Sequence, residues 1–183
     1  MLEVWNTELV RIGSVVVGAR AAAVRELAPE AARCHAGIGG GERLEIEYLG
    51  PPDDLAAAVH NSLDEDLRRG TTGVGPHRDD LRVLLDGRDA RGYGSQGQQR
   101  TAVVSLKLAE AGLVARRTGE RPVLLLDDVL SELDLERRAA LLRQVASGGQ
   151  VIITSADMGP FPAELIASAS VRKVAAGQVL PCG

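Results

Sequence analysis

Aromatic residues are nearly absent. The 183 residues include only Trp5, Tyr48, Tyr93 and Phe161. A platform that stacks the bases of single-stranded nucleic acid needs several aromatic faces, so this scarcity argues against that class of binder. The core has to be built from Leu, Val, Ile and Ala. Lysine is just as rare, with Lys107 and Lys173 alone. Neither follows a glycine loop, and no G-x-x-x-x-G-K-[ST] string occurs, so nothing present can cradle the β- and γ-phosphates of a nucleotide as a P-loop does. The two cysteines, Cys34 and Cys182, have no metal-ligand spacing and no partner pattern. They read as free thiols of a cytoplasmic protein in a reducing compartment. No run of roughly 18 uncharged apolar residues exists, which excludes a membrane-spanning helix. The N-terminus has no basic stretch followed by an apolar core, so no signal peptide is read.

What is present is an ordinary globular composition, 45% apolar and 25% charged. The net charge of −4 hides a gradient. Residues 1–67 carry twelve acidic and five basic side chains, residues 68–100 carry seven Arg against four Asp, and residues 101–183 are balanced. Only the middle stretch could meet a polyanion on charge grounds; a solvated surface of mixed charge is the plainer alternative.

Apolar positions Leu2, Trp5, Leu9, Ile12 and Val16 predict a helix over residues 1–34, with Pro29 able to open a second one. The pattern is already running at residue 1, with no cap before it, so this segment is expected to be the tail of something longer. Gly37-Ile38-Gly39-Gly40-Gly41 is a break. Residues 43–49 alternate as a strand. Asp53 or Asp54 caps a helix to about Arg69, with Leu55, Val59, Leu63 and Leu67 on one face. A loop from Thr71 to Arg78, a strand Leu81 to Leu85, the Asp86-Gly87 hairpin turn and a loop to Ser95 follow. From residue 96 onward, long helices alternate with apolar runs. Val123 to Leu126 reads as a strand buried on both faces, Leu135 to Ala146 as a helix, and Val151 to Thr154 as a strand. A short helix over residues 162–169 and two strands about the turn Ala175 to Gln178 end the chain. The expected class is α/β, with a mainly parallel sheet.

Three strings carry chemistry. In Val123-Leu124-Leu125-Leu126-Asp127-Asp128, an apolar strand delivers two acids to its carboxyl end, where ligands bind in open α/β sheets. One carboxylate there can hold Mg²⁺, and its neighbour can orient or deprotonate water. The same pair could simply cap a following turn. Ser95-Gln96-Gly97-Gln98-Gln99-Arg100 opens a helix with a capping box between Ser95 and Gln98. That leaves a positive helix terminus fit for phosphate, or equally an ordinary capped helix. Ser131-Glu132-Leu133-Asp134 follows the acid pair and could be another cap, with Ser131 at the N-cap.

The order of these strings, with their approximate spacing, resembles the signature turn, Walker B strand and D-loop of ABC-type ATPase heads. Within that superfamily, GPHRDD (Gly75 to Asp80), GYGSQGQQR (Gly92 to Arg100) and LLLDDVLSELD (Leu124 to Asp134) are similar to the RecF family, strongly over residues 70–157 and more weakly over residues 1–69. The resemblance implies a helical lobe over residues 1–69 and the signature and Walker B portion of the head over residues 70–183. It implies Asp127 as the Mg²⁺-holding acid and Asp128, one methylene shorter than the usual Glu, as general base. Ser95, Gln96, Gly97 and Gln98 would reach the γ-phosphate of ATP on a second subunit. Ser131 and Asp134 would bridge the two heads. Thr154, Ser155 and Asp157 stand where many ABC proteins carry a switch His. His77 and Arg78 match the family string without an assigned role.

As a whole, the resemblance implies an ATP-dependent homodimer that binds duplex and gapped DNA at single-strand junctions. With RecO and RecR it would load recombinase, at no membrane. In the family the P-loop lies upstream of everything present, so these 183 residues are expected to be a fragment that binds ATP poorly and hydrolyses none. Truncation would also leave unpaired sheet edges, and hence weak stability or self-association. Two rival functions remain open. An SMC-type structural head would show a long heptad coil, where residues 1–69 offer short helices broken by glycine. A non-catalytic docking module would keep the acid pair for structure alone.

Overall fold

The computed structural model describes residues 2–181 apart from residues 40, 52, 53, 132, 147 and 160. Gly40, Pro52, the alternative cap Asp53, Glu132 of the third string and Cys182 therefore lie outside the described residues.

The first element differs from its sequence expectation. α1 (Leu2–Ile38) is one helix of 37 residues with Pro29 inside it. A proline there withdraws the N–H owed to the carbonyl four residues back, a disruption of about 3 kcal/mol. Tertiary packing overrides it. Ala31, fully buried, shares a cluster with Ala102 and Ala109 of α4 (Gln96–Thr118). On either side of the proline, Glu26 pairs with Arg117 at 2.7 Å and Glu30 with Arg116 at 2.6 Å. The helix runs on through Gly37 and Ile38, past the expected end at residue 34 and into the expected break, and stops at Gly39 with φ +96°.

β1 (Leu44–Leu49) pairs antiparallel with β2 (Asp80–Leu85), in register from Leu44 opposite Leu85 to Leu49 opposite Asp80. Asp86 and Gly87, at φ +50° and +75°, turn β2 into the two-residue β3 (Arg88–Asp89). Positive φ at both central positions gives the hairpin its twist. Between β1 and β2 lies α2 (Leu55–Arg69), capped by Asp54, whose side chain accepts from the Ala57 amide. Leu55 and Val59 are buried; Leu67 is not. The expected loop before Ser95 contains a further short helix, α3 (Ala90–Tyr93), because Asp89 accepts from the amides of Arg91 and Gly92 and nucleates it.

β4 (Leu124–Asp127) and β5 (Val151–Thr154) form the parallel pair, connected through α5 (Leu135–Ala146). Leu126 is buried with Val104 of α4 and Leu141, Leu142 and Val145 of α5, and Leu124 packs against that cluster. The other face is bare: Leu125 is 68% and Ile152 51% exposed. The expectation that this strand is buried on both faces is thus corrected. Its side chains alternate, and among the described residues the helices cover one side alone. α6 (Ala163–Ser168) and the exposed hairpin β6 (Arg172–Ala175) and β7 (Gln178–Pro181) complete the order. The architecture is α/β, with parallel pairing confined to β4 and β5 among the described residues. No described helix is long and apolar enough to cross a membrane.

The GPHRDD segment has a mechanical job that sequence alone did not supply. The Asp79 side chain, 3% exposed, accepts from Arg20 of α1 at 3.1 Å and from the Tyr48 hydroxyl of β1. Arg20 also donates to the Pro76 carbonyl. His77 Nε2 lies 2.9 Å from the Thr72 carbonyl, which also accepts from Arg78 at 3.1 Å. His77 and Arg78 thereby close their own loop, while Asp79 ties that loop to helix and sheet.

Candidate functional site

β4 ends on Asp127, at the carboxyl edge of the parallel pair. Asp128 follows with φ +49°, a left-handed conformation that only Gly, Asn and Asp visit readily. The chain therefore leaves the strand abruptly and keeps both acids exposed at its edge. Thr154, directly across the pair, fixes the arrangement twice: its hydroxyl donates to Asp127 Oδ1 at 2.5 Å and accepts the Asp128 amide at 3.1 Å. The Asp128 carbonyl accepts from the Ser131 hydroxyl at 2.9 Å and lies 3.5 Å from Arg100 of α4. Thr154 thus stands where a switch His was sought, and it orients the acid pair. Ser155 and Asp157 shape the next turn, Ser155 accepting from the Asp157 amide and Asp157 from the Gly159 amide.

The second group of residues sits at the start of α4. Ser95 Oγ accepts the Gln98 amide at 3.2 Å, and Gln98 Oε1 accepts the Ser95 amide at 2.8 Å, so the capping box is complete. With the third amide of the first turn taken, those of Gln96 and Gly97 have no partner within the helix and face outward at its positive end. The turn into Ser95 depends on Gly94. A Cβ there would lie 2.7 Å from the Ala90 carbonyl oxygen. Gly94 was not singled out from sequence, although its place before a cap was a usable signal.

Ser131 is not the cap of α5. That place belongs to Asp134, whose carboxylate accepts the Arg137 amide at 2.9 Å and whose carbonyl accepts the Arg138 amide at 2.9 Å. Ser131 instead folds back on Asp128, because the chain turns at Leu130, whose carbonyl accepts the Leu133 amide, before the helix begins. Ser131 and Asp134 are both exposed. Sequence reasoning missed Glu42 entirely. It sits between α1 and β1, accepting from Gln98 Nε2 at 2.7 Å and from Arg137 at 3.1 Å. Burial opposes its charge, but the hydrogen bond from Gln98, its own backbone amide and the nearby Arg137 outweigh that and hold its carboxyl below the ordinary value. No string or spacing marks Glu42 in the sequence.

Asp127 and Asp128 offer hard oxygen ligands. Among the described residues no group of three or more His, Cys, Asp or Glu is arranged to enclose a metal. Cys34 is a free thiol whose pKa is raised, chiefly by burial.

No protein-family model matches the sequence. Curated relatives do. The chain is 40% identical over 98% of its length to the DNA replication and repair protein RecF of Nostoc punctiforme, and 43% identical over 97% of its length to that of Synechocystis. It spans 51% and 50% of those proteins, about half their length. Among solved structures, the recombination mediator protein RecF with ATPrS superposes on the whole chain with a TM-score of 0.80 at 32% identity, using 50% of that chain. RecF with ATP covers 86% of this chain at a TM-score of 0.73 and 35% identity, using 45% of that chain. An SMC ATPase structure shares the fold alone, with a TM-score of 0.51 and 11% identity over 91% of this chain and 89% of its own. At 40% and 43% identity over 98% and 97% of its length, the chain belongs to the RecF family and spans about half the length of those relatives.

Proposed function

We propose that these residues form the signature and Walker B side of an ATP-binding head in a DNA replication and repair protein of the RecFOR pathway. The observation that carries this is the acid pair at the end of β4, turned outward by the positive φ of Asp128 and pinned by Thr154. In this reading Asp127 holds Mg²⁺, which when bound neutralises charge on the phosphates. Asp128 takes the proton of an attacking water, and its short arm makes turnover slow. Gln96 and Gly97 offer backbone amides, and Ser95 and Gln98 their side chains, to the γ-phosphate of ATP held by a second copy. Ser131 and Asp134 meet that copy at the D-loop. Residues 1–69 supply the helical lobe and residues 70–183 the head portion, and the two are joined by the pairing of β1 with β2.

DNA, duplex or gapped, is the proposed polymer substrate, and RecO and RecR are the proposed partners in recombinase loading. Several arginines of the 68–100 stretch are already engaged: Arg68 and Arg69 with Glu65, and Arg82 with Glu47 at 3.4 Å. Arg88 has no partner among the described residues and is the best placed to meet phosphate. Such contacts would be independent of sequence and weakened by salt.

The test is Asp128→Asn in a family-length chain that carries a P-loop. Loss of ATP turnover with ATP-dependent dimerisation retained is the expected result. Unchanged turnover would refute the assignment and favour a docking module.

A further inference from the structure

Glu42 belongs to neither string that the proposed function uses, yet its side chain touches Gln98 of one and Arg137, which is itself bonded to Asp134 at the end of the other. Its Oε1 accepts from Gln98 Nε2 at 2.7 Å and from Arg137 Nη2 at 3.1 Å. On one side, Gln98 closes the capping box of Ser95. On the other, Arg137 lies with Nε 3.6 Å from Asp134 Oδ2 and donates its own amide to Asp134 Oδ1 at 2.9 Å. A continuous chain of polar contacts thus runs Ser95, Gln98, Glu42, Arg137, Asp134, from the start of α4 to the start of α5.

The strut is anchored on its C-terminal side. Glu42 lies between Ile38 and Leu44, which are 1% and 2% exposed. Its neighbour Arg43 donates its amide to the Asp86 carboxylate at 2.9 Å, and its carbonyl accepts the Asp86 amide at 3.0 Å. The head of the strut is shielded, for the Glu42 and Arg137 side chains are 14% and 15% exposed. Solvent therefore screens this pair far less than it screens the ion pairs on the surface of α1 and α2. A charged group with two donors on separate helices cannot follow one of them without loading the other.

We infer that Glu42 is a positioning residue that mechanically couples the signature turn at Ser95–Gln98 to the D-loop helix start at Asp134–Arg137. The functional meaning rests on the proposed function, in which both segments meet one nucleotide-bearing second copy. The coupling itself is a property of this chain and is readable without nucleotide. Displacement at one contact would then be felt at the other, and the two would engage together.

The experiment is amide hydrogen exchange on the 183-residue chain with a double-mutant design. Arg137→Ala should raise exchange at Gln98 and Gln99 several-fold, on the order of the tenfold effect that losing one shielded contact produces. In a Glu42→Ala background, Arg137→Ala should add nothing at those amides. No response at Gln98 and Gln99 to Arg137→Ala, or an equal response with and without Glu42, overturns the inference. Glu42→Gln guards against a folding defect. Its amide oxygen can still accept from Gln98 and Arg137 but carries no charge, so protection should fall at Gln98 and at Arg137 together, by less than in Glu42→Ala; protection unchanged at both, or lost at one alone, overturns the inference. If coupling is seen while a family-length chain shows no ATP turnover, the proposed function fails and the coupling stands.

Discussion

Thr154 donates its hydroxyl to the Asp127 carboxylate at 2.5 Å across the parallel pair. The same oxygen receives the Asp128 amide, so one hydroxyl on β5 sets both the rotamer of the first acid and the backbone of the second.

Thr154→Val keeps the branched shape and removes the hydroxyl. It should cost about 1 kcal/mol in a urea melt, as expected for one net hydrogen bond with a neighbour left short of a partner. In a family-length chain it should also slow turnover, because Asp127 is freed. Thr154→Ser should restore both. An unchanged midpoint with Val would show that the contact is incidental.

Ser95→Ala opens the capping box on α4. The expected loss is about 1 kcal/mol, read as a lower denaturation midpoint. Exchange at the Gln98 amide should rise selectively. Ser95→Asp, which can still cap, should retain the stability, so equal losses in both variants would contradict the cap.

His35 gives the chain a pH dependence of definite sign. Its ring is 2% exposed, Nδ1 lies 3.2 Å from the Ser105 hydroxyl, and Nε2 has no partner among the described residues. Ser105 gives its own proton to the Thr101 carbonyl at 2.7 Å, so Nδ1 is the donor. Burial lowers the His35 pKa, helped by Arg137 and opposed by Glu42, the Thr101 carbonyl and Asp86. The unfolded chain then binds the proton more readily than the folded one. Stability is full above the unfolded value of about 6.5 and falls as pH drops below it, by at most about 1.4 kcal/mol per pH unit. Melting temperatures should decline between about pH 7 and pH 5.5, and His35→Gln should flatten that decline. A wild-type curve flat over this range would contradict the assignment.

The bare face of β4 and β5 should make the chain self-associate. Leu125 and Ile152 are exposed there on a sheet that has two strands and no edge partner among the described residues, alongside Val123 at 50% exposure. Sedimentation should show concentration-dependent association, reduced by Leu125→Lys. A monomer at all concentrations would contradict this.

Much of this was legible in the sequence, and the failures share a cause. The capping box of Ser95 and Gln98, the Asp86-Gly87 turn and the exit of β4 onto two acids depend on neighbours in the chain, so local patterns reveal them. Pro29 misled because its tolerance comes from Ala31 against α4 and from ion pairs with Arg116 and Arg117, more than eighty residues away in the sequence. Leu125 misled because an apolar run shows that a strand wants cover on both faces without showing whether cover is present. Asp79 and Glu42 were invisible as functional groups. A carboxylate that gathers contacts from two distant elements looks, in one dimension, like any surface acid.

The central claim is that the acid pair of one copy and the Ser95 turn of another make a single ATP site. Two family-length variants test it, Asp128→Asn and Ser95→Glu, each expected to be inactive alone. In a symmetric dimer, half of the mixed population is heterodimer with one of its two sites intact, so mixing should restore roughly a quarter of wild-type turnover. A mixture as inactive as its components, with heterodimers formed, would contradict the account.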